Sequence, residues 1–184
     1  MKKVLVPLAP GFEEIEAITV IDILRRAGVE VVVAGLRHGP IEASRKTKHL
    51  PDCVLDDVRA EDLDMIVLPG GQPGATNLRN DPRIKRIIQT LQSNNRSVAA
   101  ICAAPTVLGA YGLLHNRAAT SHPSVREEVE AVAGKYSDDR VVVDGPVVTS
   151  RAAGTAMEFA FKLVELLVGP EKAKEINQGV MARL

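Results

Sequence analysis

The segment Val98–Pro105 constrains the fold of this chain more than any other. Four apolar residues, Val98 to Ile101, lead directly into Cys102, and small residues and Pro105 follow. An uninterrupted apolar run is typical of a strand buried on both faces inside a parallel sheet. Proline suits the first turn of a helix because its missing N–H needs no partner there. The segment therefore predicts a strand, a sharp turn at Cys102 and a helix.

A cysteine at such a turn resembles the nucleophile at the strand–helix elbow of α/β hydrolases. Its side chain points out of the carboxyl edge of the sheet, and the positive end of the helix favours thiolate over thiol. We therefore expect the pKa of Cys102 to lie well below the roughly 8.5 of a free cysteine. The alternative is a structural role, because free cysteines are among the most buried residues. This segment alone leaves both interpretations open.

Apolar strand segments alternate with helical segments along the whole chain. The predicted strands are Lys3–Ala9, Glu30–Ala34, Met65–Leu68, Ser97–Ile101, a short strand-like piece at Ala118–Ser121, and a hairpin of Val141–Val143 with Val147–Thr149. The predicted helices are Glu13–Arg26, Asp81–Asn94, Ala104–Tyr111, Ser124–Ala133, Gly154–Val168 and Pro170–Ala182. This alternation predicts the α/β class, with a mostly parallel sheet covered by helices on both faces. Because 184 residues contain no repeat or linker, we expect one domain over residues 1–184.

Charge and composition exclude several classes of function. The chain has 23 basic and 23 acidic residues, so no sequence-specific nucleic-acid binding and no membrane-surface binding are expected. Its two cysteines, Cys53 and Cys102, form neither a disulfide framework nor a zinc pattern, and no metal is expected. The N-terminal apolar run is broken by Pro7 and predicts a strand instead of a signal peptide. No run approaches the length of a membrane span, so we expect a cytoplasmic protein.

Three strand ends are predicted to meet at one edge of the sheet. Cys102 follows one strand, Gly70 and Gly71 follow another, and the segment Pro10–Glu16 follows the first. Ligands of open α/β sheets bind beyond the carboxyl ends of the strands. The glycine-rich turn exposes N–H groups that can receive an anion, although a simple tight turn is the alternative. Its spacing matches neither a Walker A loop nor a dinucleotide motif, so no nucleotide cofactor is expected.

Glu16 occupies an unusual place on the first predicted helix. At roughly 100° per residue it falls between Val20, Ile23 and Ala27, on an apolar flank. A carboxyl there either reaches solvent at the helix end or is buried for a functional reason. Burial would raise its pKa, and a protonated Glu16 can donate a hydrogen bond to a thiolate.

Four short motifs together resemble the ThiJ/PfpI (DJ-one) superfamily in their order and spacing. They are Glu13–Glu16 (EEIE), Leu68–Gly71 (LPGG), Ala100–Pro105 (AICAAP) and Ser121–Pro123 (SHP). The chain is similar, over nearly its whole length, to the branch that contains the Parkinsonism-associated deglycase and its bacterial counterparts. The resemblance implies a flavodoxin-like fold and a homodimer, and it adds no cofactor.

The resemblance also implies roles for individual residues. Cys102 matches the nucleophile, Glu16 the carboxyl that hydrogen-bonds its sulfur, and His122 the nearby histidine. The positions whose backbone N–H groups line the anion site are matched by Gly70, Gly71 and Ala103. For His122, a turn residue ahead of a proline is the alternative. Cys53 follows a Pro-Asp pair, whereas the family's second cysteine often precedes it, so we assign Cys53 no redox role.

The activity that the resemblance implies is a cofactor-free glyoxalase or deglycase that depends on Cys102. Its expected substrates are methylglyoxal, glyoxal or their early adducts on protein or nucleotides, and its product is a 2-hydroxy acid. One alternative is an oxidative-stress sensor or chaperone whose Cys102 is oxidised to the sulfinate. An intracellular peptidase is a weaker alternative, because that branch usually has a histidine where Ala103 stands. The basic stretch 45–49 is interpreted as a solvated face, with a site for an acidic group as the alternative.

Overall fold

The computed structural model describes the whole chain, Met1–Leu184. Its strands are β1 (Lys3–Leu8), β2 (Glu30–Gly35), β3 (Ile41–Glu42), β4 (Lys48–His49), β5 (Cys53–Val54), β6 (Met65–Leu68), β7 (Ser97–Ile101), β8 (Ala118–Ala119), β9 (Lys135–Tyr136), β10 (Val141–Asp144) and β11 (Val147–Ser150). Seven of them form the central sheet in the order β10-β11-β7-β6-β1-β2-β5. The pairs β3–β4 and β8–β9 are separate two-stranded ribbons.

The central sheet is parallel except at one edge. Only the hairpin of β10 and β11 is antiparallel. β7 pairs in parallel with β11 on one side and with β6 on the other, so the end of β7 lies inside the sheet. The predicted mostly parallel α/β architecture and the hairpin are both confirmed.

The helices are α1 (Glu14–Arg26), α2 (Gly74–Asn80), α3 (Pro82–Ser93), α4 (Pro105–Ala110), α5 (Arg126–Glu130), α6 (Ala156–Val168) and α7 (Pro170–Val180). Short 3₁₀ turns occupy residues 55–57, 60–62, 123–125 and 153–155. None of the helices is long and apolar enough to cross a membrane.

Two hydrophobic cores lie on opposite faces of the sheet. Along β1, Val4 and Val6 face the core that α1 and α6 cover, whereas Leu5 faces the core of α3 and α4. This follows from the period of two along a strand, which sends neighbouring side chains to opposite faces. Helices on both faces therefore bury a sheet built from aliphatic residues.

Three helical predictions differ from the structure. The expected helix Ser124–Ala133 is only α5 after a 3₁₀ turn, because Val129 is the one buried residue available to hold it. The helix after the elbow, expected to reach Tyr111, ends at Ala110. Helix α2 was not predicted, since it begins at Gly74, a poor helix former. A Cβ on Gly74 would lie 2.6 Å from the Phe12 nitrogen, so close packing explains the glycine.

Candidate active site

Cys102 lies at a strained elbow between β7 and α4. Its φ of 66° is in the left-handed region, which residues with a Cβ rarely adopt. Two backbone hydrogen bonds hold it: its N–H donates to the Ser150 carbonyl at 2.9 Å, and its carbonyl accepts from the His122 N–H at 2.8 Å. Strained backbone of this kind persists only where the surroundings enforce it, and it clusters at functional sites. The elbow predicted from the sequence is present.

Glu16 is buried beside this elbow, with only 1% of its surface exposed. The Glu13 side chain caps α1 by accepting the Glu16 N–H at 2.9 Å, which fixes the first turn of the helix. On the carboxyl itself, Oε2 accepts the Gly70 N–H at 2.8 Å, while Oε1 makes no hydrogen bond of normal geometry. Glu16 therefore lies on the apolar side of α1, as its helical position predicted.

Gly70 and Gly71 close the site from the β6 side. A Cβ on Gly70 would lie 2.7 Å from the Cys102 Cβ and 2.8 Å from the Glu16 Oε2. Cys102 and Glu16 therefore both pack directly against Gly70. Gly71 has a φ of +85°, and its Cβ would lie 2.5 Å from the Glu13 nitrogen. Only glycine fits at either position.

The backbone N–H groups of Gly71 and Ala103 adjoin the Cys102 sulfur and lower the pKa of the thiol. Three opposing causes are larger. Burial, after it the negative charge of an ionised Glu16, and then the hydrogen bond with Glu16 raise the pKa of Cys102 to about 12. The expectation of a lowered thiol pKa is therefore wrong for a thiol beside an ionised carboxylate.

Burial also raises the pKa of Glu16 to about 7, against the lowering by hydrogen bonds from the Cys102 thiol and the Gly70 N–H. The two groups consequently titrate as one unit. The pair loses a first proton near neutral pH and a second only in strong alkali. A thiolate at neutral pH requires that Glu16 keep its proton.

His122 reaches the site through its backbone. Its N–H bonds the Cys102 carbonyl, but its ring contacts its own turn: Nδ1 accepts the Ser124 N–H at 3.1 Å and lies 2.8 Å from the Ser124 Oγ. Because Nδ1 is an acceptor, the proton of the neutral ring is on Nε2. The half-buried ring therefore acts as a cap for the turn at Pro123, as the alternative interpretation held. A chemical role for the ring stays a prediction.

Several supporting residues could not be found from the sequence. Ser150, which receives the Cys102 N–H, is fully buried and bonds the Thr155 hydroxyl at 2.6 Å. Ser121 is held by the hydroxyl of Tyr136. These hydroxyl residues carry no motif, and strand pairing alone brings them to the elbow.

Cys53 lies apart from the site, on the edge strand β5, where it pairs with Ala34 of β2. Strands β6, β1 and β2 separate it from β7 in the sheet. The basic stretch 45–49 forms the turn and second strand of the β3–β4 ribbon. That turn is held by the Glu14 carboxylate, which accepts the Arg45 N–H and the hydroxyls of Ser44 and Thr47.

A flavodoxin-like sheet with a cysteine at a strained strand–helix elbow, next to a buried carboxyl, defines a recognisable class of protein. The sequence model of the DJ-1/PfpI family matches residues 2–166. Drosophila melanogaster protein dj-1beta is 41% identical over 181 residues, which cover 98% of this chain and 97% of the relative. The Caenorhabditis elegans protein named glutathione-independent glyoxalase DJR-1.2 is 40% identical over 176 residues, 95% of this chain and 94% of that protein.

Solved structures agree with these sequence relatives. The crystal structure of Drosophila melanogaster DJ-1beta superposes with a TM-score of 0.95 at 41% identity, covering 100% of this chain and 99% of that one. Oxidized Toxoplasma gondii DJ-1 gives a TM-score of 0.95 at 38% identity, with all of both chains covered. The chain belongs to the DJ-1/PfpI family.

Proposed function

We propose that this protein is a glutathione-independent glyoxalase that also removes early glycation adducts, with Cys102 as its nucleophile. The observation that carries the proposal is the surroundings of the sulfur. The N–H groups of Gly71 and Ala103 and the buried carboxyl of Glu16 all face it. The name of the nematode relative, a glutathione-independent glyoxalase, supports the same chemistry.

The charge of the Cys102–Glu16 pair resides on the sulfur in this proposal. Two backbone N–H groups, those of Gly71 and Ala103, converge on the sulfur, whereas the carboxyl receives only the Gly70 N–H from the backbone. An anion is favoured where hydrogen-bond donors converge. Glu16 then keeps its proton, and its O–H adds a third donor to the thiolate.

The first step is addition of the thiolate to the aldehyde carbon of methylglyoxal. An S–C bond forms, and the electrons of the C=O bond move to oxygen. The N–H groups that faced the thiolate stabilise this oxyanion. Glu16 gives its proton to the oxygen, which leaves a hemithioacetal and a carboxylate in the apolar pocket.

The second step is an internal redox exchange within the substrate. One proton moves from C1 to C2, and another moves from the C1 oxygen to the C2 oxygen. C1 is oxidised to a thioester while C2 is reduced to an alcohol, so no external electron acceptor is needed. The Glu16 carboxylate, or the half-buried His122, carries the carbon-bound proton.

Hydrolysis completes the cycle. Water adds to the thioester carbon and expels the Cys102 thiolate; of the two protons freed, one returns to the Glu16 carboxylate and the other is released with lactate. An early adduct enters the same sequence when the thiolate displaces the amine from C1, because Glu16 protonates the departing amine. Both substrates therefore share the hemithioacetal.

Lactate release from methylglyoxal, measured without glutathione, tests the proposal. Cys102→Ser should abolish release, whereas the matched variant Cys53→Ser should keep the wild-type rate. Release of no more than one equivalent per thiol would contradict an enzyme and favour the oxidation-sensor alternative. Wild-type release by Cys102→Ser would refute the nucleophile.

We also propose that the protein forms a homodimer through α1 and functions in the cytoplasm. Ile15 and Ile18 are 55% and 39% exposed on the helix that carries Glu16. Two large apolar side chains on neighbouring turns make a surface that a second copy of the chain can cover. The family resemblance supports the same assembly.

A further inference from the structure

The strained backbone of Cys102 is held from two sides. On one side Ser150 accepts its N–H, and Ser150 is itself anchored, since its hydroxyl donates to the Arg140 carbonyl at 2.8 Å and bonds Thr155. On the other side the His122 N–H donates to the Cys102 carbonyl. His122 begins an exposed turn, so something else must fix its backbone.

That anchor is the side chain of Tyr136. Its hydroxyl donates to the Ser121 carbonyl at 3.1 Å and lies 3.3 Å from the Ser121 hydroxyl. Ser121 is fully buried and directly precedes His122. The peptide that joins them therefore carries the Tyr136 bond on its carbonyl and the Cys102 bond on its N–H. A displacement at one end of this peptide moves the other.

Tyr136 is well placed to act as a rigid support. It is half-buried on β9, where it pairs with Ala119 of β8. The guanidinium of Arg126 lies 4.6 Å from the centre of its ring, and Arg126 also pairs with Asp138. Asp138 in turn pairs with Arg151, the residue after Ser150. The two sides of the elbow are thus linked behind the site.

We propose that Tyr136 is a positioning residue, which holds the Cys102 elbow through the Ser121–His122 peptide so that the sulfur stays against the N–H groups of Gly71 and Ala103. The inference deepens the proposed function and rests on it for the role of Cys102. Removing the Tyr136 hydroxyl frees the peptide and lets the left-handed backbone relax. The sulfur then moves away from N–H donors that stabilise its thiolate. The substitution leaves the titratable residues at the elbow, Glu16 and His122, in place.

The chain supplies a matched control, because it contains only two tyrosines. Tyr111 is also half-buried, its hydroxyl also donates to a carbonyl, that of Arg79 at 2.6 Å, and Lys85 lies over its ring. Tyr111 lies at the end of α4 and makes no bond to the Ser121–His122 peptide. Tyr136→Phe and Tyr111→Phe therefore remove the same kind of hydrogen bond at two different places.

The test measures alkylation of Cys102 by iodoacetamide as a function of pH, in the Cys53→Ser background where Cys102 is the only thiol. Tyr136→Phe should slow alkylation about three- to tenfold, the worth of one hydrogen bond, and move its pH midpoint to higher pH. It should lower kcat and leave KM nearly unchanged. Tyr111→Phe should match its parent in rate and midpoint.

An unchanged rate and midpoint in Tyr136→Phe would overturn the inference, as would an equal change in Tyr111→Phe. A general loss of stability would lower the melting temperature without moving the midpoint. Alkylation needs no turnover, so a failed lactate assay beside a positive alkylation result would refute the activity and leave the positioning role intact.

A second measurement does not depend on how well Tyr136→Phe folds. In Tyr111→Phe protein labelled with 3-fluorotyrosine, Tyr136 carries the only fluorine. Its ¹⁹F resonance should shift when Cys102 is alkylated, because the elbow and the tyrosine hydroxyl are coupled through one peptide. A resonance that does not move would contradict the coupling.

Discussion

The N–H of Gly70 donates a 2.8 Å hydrogen bond to Oε2 of Glu16. This bond brings the end of β6 into contact with α1 and places a residue without a side chain between the carboxyl and Cys102. The pocket that raises the pKa of Glu16 and the elbow that presents the thiol are therefore one structural unit. Substitutions at Gly70, Cys102 and Glu16 test the contribution of each residue to this unit.

Gly70→Ala should depress turnover about a hundredfold or more, because the new methyl group occupies the space between Cys102 and Glu16. Gly154→Ala is the control, since neither glycine has a positive φ and a Cβ on Gly154 meets no atom within 4 Å. Steady-state lactate release measures both. Equal activity in the two variants would show that close approach at Gly70 is unimportant.

The Cys53→Ser protein should develop thiolate absorbance in the ultraviolet as the pH passes through neutrality. The reason is that the Cys102–Glu16 pair loses its first proton near the Glu16 pKa of about 7, and the proposal places that charge on sulfur. Thiolate absorbance that appears only near pH 12 would instead place the charge on Glu16. Cys102→Ser gives the baseline.

Glu16→Gln should keep the circular dichroism spectrum and lose turnover by about a hundredfold to ten-thousandfold. Glutamine preserves the shape and can donate a hydrogen bond to sulfur, but it cannot transfer a proton. The pKa of its Cys102 thiol should lie below about 12, because the carboxylate charge that raises it is gone. Retained turnover would transfer the proton-carrying role to His122.

The same substitution should change how stability depends on pH. The Cys102–Glu16 pair releases its first proton near the Glu16 pKa of about 7 when folded, whereas the Glu16 carboxyl of the unfolded chain releases its proton near 4.5, so between these values the folded chain holds a proton that the unfolded chain has released. The free energy of unfolding must then fall as pH rises through this window, by about 3 kcal/mol at most. Glu16→Gln should lack this fall in urea titrations at pH 4 and pH 8. Parallel pH curves for the two proteins would contradict the raised pKa.

Ile18→Lys should shift the protein from dimer to monomer in sedimentation experiments at micromolar concentration. The substitution places a charge in the apolar surface of α1 that the proposal assigns to the second copy. Val132→Lys is the control, because Val132 is similarly exposed, at 42%, on another part of the chain. A wild-type protein that sediments only as a 19.7 kDa species would refute the dimer.

Much of the fold was predictable because its signals are local. Apolar runs identified β1, β6 and β7. No strand was predicted in the segment 44–57, since β4 and β5 are two residues each and are defined by their pairing with β3 and β2. Short strands carry too few residues for a periodic pattern.

The candidate site was predictable in its parts but not in its electrostatics. The elbow at Cys102 and the buried side of Glu16 follow from sequence patterns, whereas the pKa of the thiol depends on burial and on the charge state of a residue 86 positions away. The effect of Tyr136 is equally non-local, because it passes through one peptide at Ser121. Sequence periodicity does not reveal how close Glu16 lies to Cys102 or Tyr136 to Ser121.

The most direct test of Cys102 as the nucleophile is an acid-quenched intact-mass measurement on Cys53→Ser protein mixed rapidly with methylglyoxal. The predicted result is an adduct with the mass of one methylglyoxal, located by peptide mapping at Cys102. Its rate of formation should exceed kcat, and it should decay as lactate appears. It should be absent from Cys102→Ser. Lactate accumulation with no adduct on Cys102, or with an adduct that persists after the substrate is consumed, would contradict covalent catalysis by this cysteine.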